Sequence, residues 1–246
     1  MSGHRSGTGL PAPVSDGWVQ FGLLCLAMPL SLAMQPVTRE VLTDYFHRLH
    51  HSVATDPVGA ETAFAGLVIV TVLVVEFVLL IAALIWRGGS VWAERQRTSL
   101  PWKVLLKRGF QLGVPYGLVT YALLWWVDRV PHYLDYEGFI SAPSAFFIPA
   151  ACIAGSVGAV CEELYFRGAV YRVCRRLTCQ SGAVFLNAVL FTGWHVHAYG
   201  NVPQLLSIAA GSWLYCWLLD RTGSTIPGII CHASVNVTAV LLSNVG

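Results

Sequence analysis

Residues Ala145–Gly168 read AFFIPAACIAGSVGAVCEELYFRG and join a long apolar run to two glutamates and an arginine. A bilayer core requires about 20 apolar residues in a helix, and this stretch is long enough to cross it. Ionisable side chains in such a helix are unfavourable unless they have partners or a function. The stretch therefore predicts a membrane helix that carries chemistry.

The composition of the whole chain agrees with a membrane protein. Of 246 residues, 55% are hydrophobic and only 11% are charged, which lies outside the range of ordinary soluble domains. The net charge is +2, and the Lys and Arg residues are too scattered to form a nucleic-acid site. We predict an all-α polytopic membrane protein that resides in the lipid bilayer and binds no nucleic acid.

About seven transmembrane helices are expected, with a catalytic site within the helix bundle. The apolar stretches lie at Trp18–Met34, Ala63–Trp86, Gly113–Val127, Ala145–Gly168, Ser181–His197, Gln204–Leu219 and Pro227–Leu242. Thr98–Arg108 is expected to lie at the membrane surface as an interfacial helix. We predict one membrane domain over residues 1–246, with N-terminal spans in 1–140 and a catalytic core in 141–246.

The basic residues indicate the orientation. They concentrate in residues 87–108 and 167–176, and cytoplasmic loops carry an excess of Lys and Arg. The N-terminus is then cytoplasmic. The short chain and short loops favour a bacterial inner membrane.

Few ionisable residues fall within the predicted spans, so each one calls for an explanation. Together with one strongly polar companion, Asn236, they are Glu76, Glu162, Glu163, Arg167, His195, His197 and His232.

The adjacent pair Glu162 and Glu163 is expected to have two roles, because neighbours on a helix point about 100° apart. Arg167 follows Glu163 by four residues, on the same face, where a charge-assisted pair can form. We expect Glu163 and Arg167 to form an ion pair that fixes the helix, and Glu162 to be the general base. The alternative is a solvated charge cluster at a helix end.

Polar side chains from three helices are expected at similar depth. A rise of about 1.5 Å per residue places Glu162, His195 and Asn236 at comparable heights, with His232 about one turn shallower. His232 shares a face with Asn236. A carboxylate and an imidazole can deprotonate a water, while an imidazole and an amide can donate to an oxyanion. The alternative for each histidine is a hydrogen bond that packs helices together.

Three motifs occur in order in the C-terminal half. CEELYFRG at 161–168 contains EExxxR, FTGWH at 191–195 matches FxxxH, and RTGS at 221–224 precedes HASVN at 232–236, an HxxxN motif. This half resembles the CPBP intramembrane proteases, a family that includes CAAX prenyl proteases and bacteriocin-processing (Abi) proteins. The resemblance implies an intramembrane endopeptidase, a hydrolase, whose water is activated by Glu162 and His195.

The resemblance also implies the remaining roles. His232 and Asn236 would support the oxyanion, and Glu163 and Arg167 would hold the geometry. Members of this family have been described both as metalloproteases and as glutamate-dependent enzymes. The chain has no HExxH, and its candidate ligands come from separate helices, so we expect no metal cofactor. Zinc bound by Glu162, His195 and His232 is the alternative.

The substrate is expected to be a membrane-associated protein or peptide. A prenylated CAAX tail, a bacteriocin precursor and a C-terminal sorting tail are the alternatives, and the sequence indicates no substrate-binding residues. A different class of function is a catalytically inactive immunity-type binding protein, or a transporter, on the same scaffold.

Overall fold

A computed structural model describes residues 17–31, 33, 74, 77–82, 98–127, 147–196 and 201–243 of the chain. Every regular element within these ranges is a helix, which confirms the all-α prediction. The elements are α1 (Gly17–Ser31), α2 (Trp102–Trp126), α3 (Phe147–Tyr165), a π-helical turn (Phe166–Val170), α4 (Tyr171–Leu177), α5 (Gln180–His195), α6 (Val202–Thr222) and α7 (Ile226–Ser243), with a short helical stretch at 77–82.

Two of the described helices are long and apolar enough to cross a membrane. One is the rod Ile148–Leu177, which α3, the π-helical turn and α4 form together, and the other is Val202–Thr222. They overlap the predicted spans Ala145–Gly168 and Gln204–Leu219, although the first helix continues nine residues beyond Gly168. Apolar helices at Gly17–Ser31 and Ile226–Leu242 are shorter. Most of the predicted span Ala63–Trp86 lies outside the described residues, and the count of seven spans stays a prediction.

Helix α2 differs from the expectation. Thr98–Arg108 was predicted as an interfacial helix apart from a span at Gly113–Val127, but a single helix runs from Trp102 to Trp126. Nothing between these two segments breaks a helix, and the lone proline, Pro115, lies inside α2 without ending it. The basic residues near residue 105 therefore belong to the first turns of a long helix.

A stripe of glycines brings α2 close to α7. Gly109, Gly113 and Gly117 are spaced by four residues, the small-xxx-small pattern of close membrane helix pairs. A Cβ atom on Gly113 would lie 2.5 Å from the carbonyl oxygen of Cys231, so no larger residue fits. Helix α7 also packs against α3 and α6. It is therefore held at the centre of the helices that form the site.

The RTGS segment makes the turn between α6 and α7. Gly223 has φ 67°, in the left-handed region that favours glycine, and its N–H donates to the carbonyl of Leu219 at 2.7 Å. The hydroxyl of Ser224 then accepts from the N–H of Ile226 at 3.2 Å, which caps the beginning of α7. The tight turn fixes the beginning of α7, and with it His232 about two turns further on.

Candidate active site

The two glutamates of α3 lie in different surroundings. Glu163 is fully buried, and its Oε1 lies 3.0 Å from Nη1 of Arg167, which is 1% exposed. The ion pair predicted from the i,i+4 spacing is therefore present. The Arg167 guanidinium also lies over two aromatic rings, 4.2 Å from the centre of Phe191 and 4.9 Å from that of Tyr215. A buried charge requires such compensation.

A π-helical turn follows the glutamates and is held by a polar side chain from α5. Residues Phe166–Val170 widen the helix, which leaves backbone groups without their usual partners. The side-chain amide of Asn187 donates to the carbonyl of Phe166 at 2.8 Å. The Asn187 oxygen faces Ser212 and Cys216 of α6, both at 3.4 Å. Asn187 thus ties α5 and α6 to the segment that contains Arg167.

His195, the last residue of α5, turns one ring nitrogen towards Glu162. Its Nδ1 lies 2.8 Å from the carbonyl oxygen of Phe191, and a carbonyl only accepts, so Nδ1 carries the proton. In the neutral ring Nε2 is then an acceptor. Nε2 lies 3.6 Å from Oε2 of Glu162, too far for a direct hydrogen bond but close enough for one water to contact both.

His232 of α7 contacts both carboxylates. Its Nδ1 lies 3.1 Å from Oε1 of Glu163, and its Nε2 lies 3.9 Å from Oε2 of Glu162. A carboxylate paired with a guanidinium accepts hydrogen bonds, so Nδ1 is the donor. Nε2 consequently bears a hydrogen only when the ring is an imidazolium. The ring stacks on Tyr215, with centroids 4.9 Å apart and planes 18° apart.

Asn236 lies one turn after His232 and contacts α3. Its Nδ2 donates to the carbonyl of Gly155 at 2.9 Å. A Cβ atom on Gly155 would lie 3.2 Å from Cβ of Asn236, so glycine permits this close approach. An amide nitrogen carries two hydrogens, and the second remains for another acceptor.

A cavity of about 90 Å³ opens beside these residues. His195, His232 and Asn236 line one part of it, and residues of α2 and α6 line the rest, among them Tyr116, Tyr121 and Gln204. A cavity needs only about 10–15 Å³ of this volume to hold one water, so this cavity can hold several waters or a small side chain. The site therefore has room for water and part of a peptide.

The donor set of Glu162, His195 and His232 is one that zinc accepts chemically. Within the described ranges, however, no three His, Cys, Asp or Glu side chains are arranged to hold a metal ion. The expectation of a mechanism without a metal cofactor stays a prediction. Glu76 and His197, the other ionisable residues predicted within spans, lie outside the described residues.

Two residues of the site were not predicted from the sequence. Asn187 lies inside a predicted span, and the polarity that drew attention to Asn236 applies equally to it. Tyr215 has no such signal, because an aromatic residue in an apolar helix usually packs in a core. Only the fold places its ring against His232 and Arg167.

Comparison with known families supports the relationship suggested by the motifs. Residues 144–238 match the type II CAAX prenyl endopeptidase Rce1-like family. This part of the chain is similar to an Rce1-like domain. The match confirms the resemblance to CPBP intramembrane proteases. It contains the site residues of α3 to α7, whereas the cavity residues Tyr116 and Tyr121 of α2 lie outside it. No curated protein and no solved structure is significantly similar to the chain.

The Rce1-like match has consequences for the class of protein. It implies a peptidase, that is a hydrolase, of a family that is embedded in the membrane. Proteases of this family act on membrane-associated protein or peptide substrates. The two apolar helices that are long enough to span a membrane agree with this placement.

Proposed function

We propose that the protein is an intramembrane endopeptidase in which Glu162 and His195 activate the water that hydrolyses the peptide bond. The observation that carries the proposal is the approach of Glu162 Oε2 to His195 Nε2 at 3.6 Å, inside the Rce1-like domain and beside a cavity. Both groups are mostly buried, and low exposure keeps bulk water from competing for them.

The first step is the attack of water on the substrate carbonyl. His195 accepts a hydrogen bond from the water at Nε2, since Nδ1–H is already committed to Phe191. Glu162 takes the proton as the water oxygen bonds to the carbonyl carbon. When the tetrahedral intermediate collapses, the C–N bond breaks and Glu162 returns the proton to the leaving amine. Atoms and charge balance over the two steps, and Glu162 ends as it began.

His232 and Asn236 support the oxyanion that forms in between. Asn236 donates with the amide hydrogen that Gly155 does not use. His232 would donate through Nε2, which bears a hydrogen in the imidazolium form because Nδ1–H is directed at Glu163. Hydrogen bonds of this kind act mainly in the transition state. The Glu163–Arg167 pair holds α3 and His232 in register and takes no part in proton transfer.

The first substrate to test is a prenylated CAAX tail, because the matched family is described as CAAX prenyl endopeptidases. A bacteriocin precursor and a C-terminal sorting tail are the other membrane-associated substrates with suitable chemistry. We place the protein in a bacterial inner membrane with several spans and a cytoplasmic N-terminus. The N-terminal spans of residues 1–140 would support the catalytic core of residues 141–246.

The experiment compares membranes that contain the wild type with membranes that contain Glu162→Gln. Mass spectrometry of membrane-protein termini should reveal termini that change with the wild type and revert in the variant. Such termini would establish the peptidase and name its substrate. Identical termini, with both proteins folded and equally expressed, would replace this proposal with a non-cutting binding protein or transporter.

A further inference from the structure

Tyr215 of α6 lines the same cavity as His195, His232 and Asn236 and is only 3% exposed. One contact of its ring is the stacked imidazole of His232, and another is the Arg167 guanidinium 4.9 Å from the ring centre. Because Glu163 Oε1 receives both Arg167 at 3.0 Å and His232 at 3.1 Å, Tyr215 touches the two residues that Glu163 pairs. Four side chains from three helices thus form one closed set of contacts.

The contact with Tyr215 restrains a rotation of the His232 imidazole that the hydrogen bond from His232 to Glu163 does not restrain. The bond from Nδ1 to Glu163 fixes the direction of one N–H, but the imidazole can still rotate about that bond. A ring stacked at 18° removes this rotation, and Phe191 adds an edge contact at 5.8 Å. The position of Nε2, which faces Glu162, is therefore set by Tyr215 as well as by Glu163.

We propose that Tyr215 is a positioning residue that fixes the imidazole plane of His232, so that Nε2 is held at the reacting group. The effect on His232 follows from the contacts themselves, whereas the effect on catalysis rests on the proposed function. In this proposal the aromatic ring of Tyr215, and not its hydroxyl, restrains His232. The Tyr215 hydroxyl lies near Gly211 and the hydroxyl of Tyr116. A Cβ atom on Gly211 would be 3.4 Å from both hydroxyls.

The first test measures His232 directly and needs no substrate. Protein labelled with ¹⁵N-histidine in lipid nanodiscs gives one set of His232 imidazole signals, assigned by their loss in His232→Gln. We expect Tyr215→Leu to shift, broaden or split these signals. Tyr215→Phe, which keeps the ring, should leave them nearly in place. Trp213→Leu is the matched control, because Trp213 is an exposed aromatic residue on the same helix.

The second test measures cleavage of a farnesylated CAAX peptide by the purified protein in liposomes. A misplacement of about 1 Å can cost on the order of 10²-fold in rate, so we expect kcat to fall 10- to 100-fold in Tyr215→Leu. KM should change less than about twofold, since oxyanion donors act in the transition state. Tyr215→Phe should recover most of the rate. In a His232→Ala background, Tyr215→Leu should have little further effect.

The outcomes separate this proposal from the proposed function. Unchanged His232 signals in Tyr215→Leu would overturn the positioning role, whatever the protein cleaves. If the His232 signals shift in Tyr215→Leu but the wild type hydrolyses no peptide, the positioning role is upheld and the proposed function is contradicted. The proposal would also be overturned if Tyr215→Leu lowered the rate equally in the wild-type and in the His232→Ala background. Such a result would indicate that Tyr215 has a general packing role. If Tyr215→Leu does not fold, Tyr215→Met, whose flexible unbranched side chain adapts to irregular gaps, replaces it in both tests.

Discussion

Glu162 and Glu163 are neighbours in the sequence, yet the Glu163 side and the Glu162 side of the site differ in almost every contact. Glu163 is fully buried and bonded to Arg167 and His232 at about 3 Å. Glu162 faces two imidazole nitrogens at 3.6 and 3.9 Å, distances that leave space for a reacting water. The difference indicates how one helix supplies both a rigid support and a group that can exchange protons. Removing a group on the Glu162 side should therefore lower turnover, whereas removing a group on the Glu163 side should destabilise the fold.

A large loss of turnover is expected for His195→Ala, on the Glu162 side. Removal of the acceptor Nε2 should lower kcat by about 10²- to 10⁴-fold, the usual contribution of general acid–base groups. The folded yield should hardly change, because the imidazole is at the edge of the cavity. Cleavage of the farnesylated peptide gives the rate. Val189→Ala, an exposed position on the same helix, is the control. A yield that falls with the rate would contradict the division between the two sides.

Arg167→Ala tests the Glu163 side. Loss of one partner from a buried ion pair leaves the other charge uncompensated, so we expect a loss of about 3–5 kcal/mol in the free energy of unfolding. Reversible denaturation in detergent micelles measures it. Arg175→Ala, an exposed arginine on α4, should change the stability by less than about 0.5 kcal/mol. Equal stability of the two variants would show that the pair does not support the fold.

Asn236→Ala should have smaller effects, on both the stability and the turnover of the protein. The hydrogen bond to the Gly155 carbonyl joins α7 to α3, and its loss should cost about 1 kcal/mol of stability. The loss of an oxyanion donor should lower kcat on the order of 10²-fold with an unchanged KM. Thermal unfolding measures the loss of stability, and steady-state kinetics of the same preparation measure the loss of kcat. A change confined to KM would assign Asn236 to substrate binding instead.

The smallest effect is expected from metal chelation. If Glu162 acts as the base without a metal, 1,10-phenanthroline and EDTA should leave the cleavage rate unchanged, and added Zn²⁺ should not raise it. The non-chelating isomer 1,7-phenanthroline is the control. Inhibition that zinc reverses would instead make Glu162, His195 and His232 metal ligands.

Short-range spacing made part of the site predictable from the sequence. The Glu163–Arg167 contact follows from i,i+4 geometry, and the bounds of α5, α6 and α7 follow from apolar length and from Gly223 and Ser224. The motifs pointed to the family that residues 144–238 match. In each case residues close in the chain determine the structure.

Features that depend on contacts between helices could not be predicted in the same way. The π-helical turn has no local signature, and the bond from Asn187 that holds it crosses from α5. The tautomers of His195 and His232 depend on partners brought near by the fold. The expectation of a separate interfacial helix before α2 was wrong because its basic residues resembled a membrane-surface pattern while nothing broke the helix.

The most direct measurement compares Glu162→Gln with Glu163→Gln in the same liposome preparation. Each change removes one negative charge from adjacent positions and keeps the side-chain size. We predict that Glu162→Gln unfolds at the wild-type temperature but does not cleave the terminal segment identified by mass spectrometry, whereas Glu163→Gln unfolds at a lower temperature. Cleavage at the wild-type rate by Glu162→Gln, or an equal loss of stability in both variants, would contradict the account.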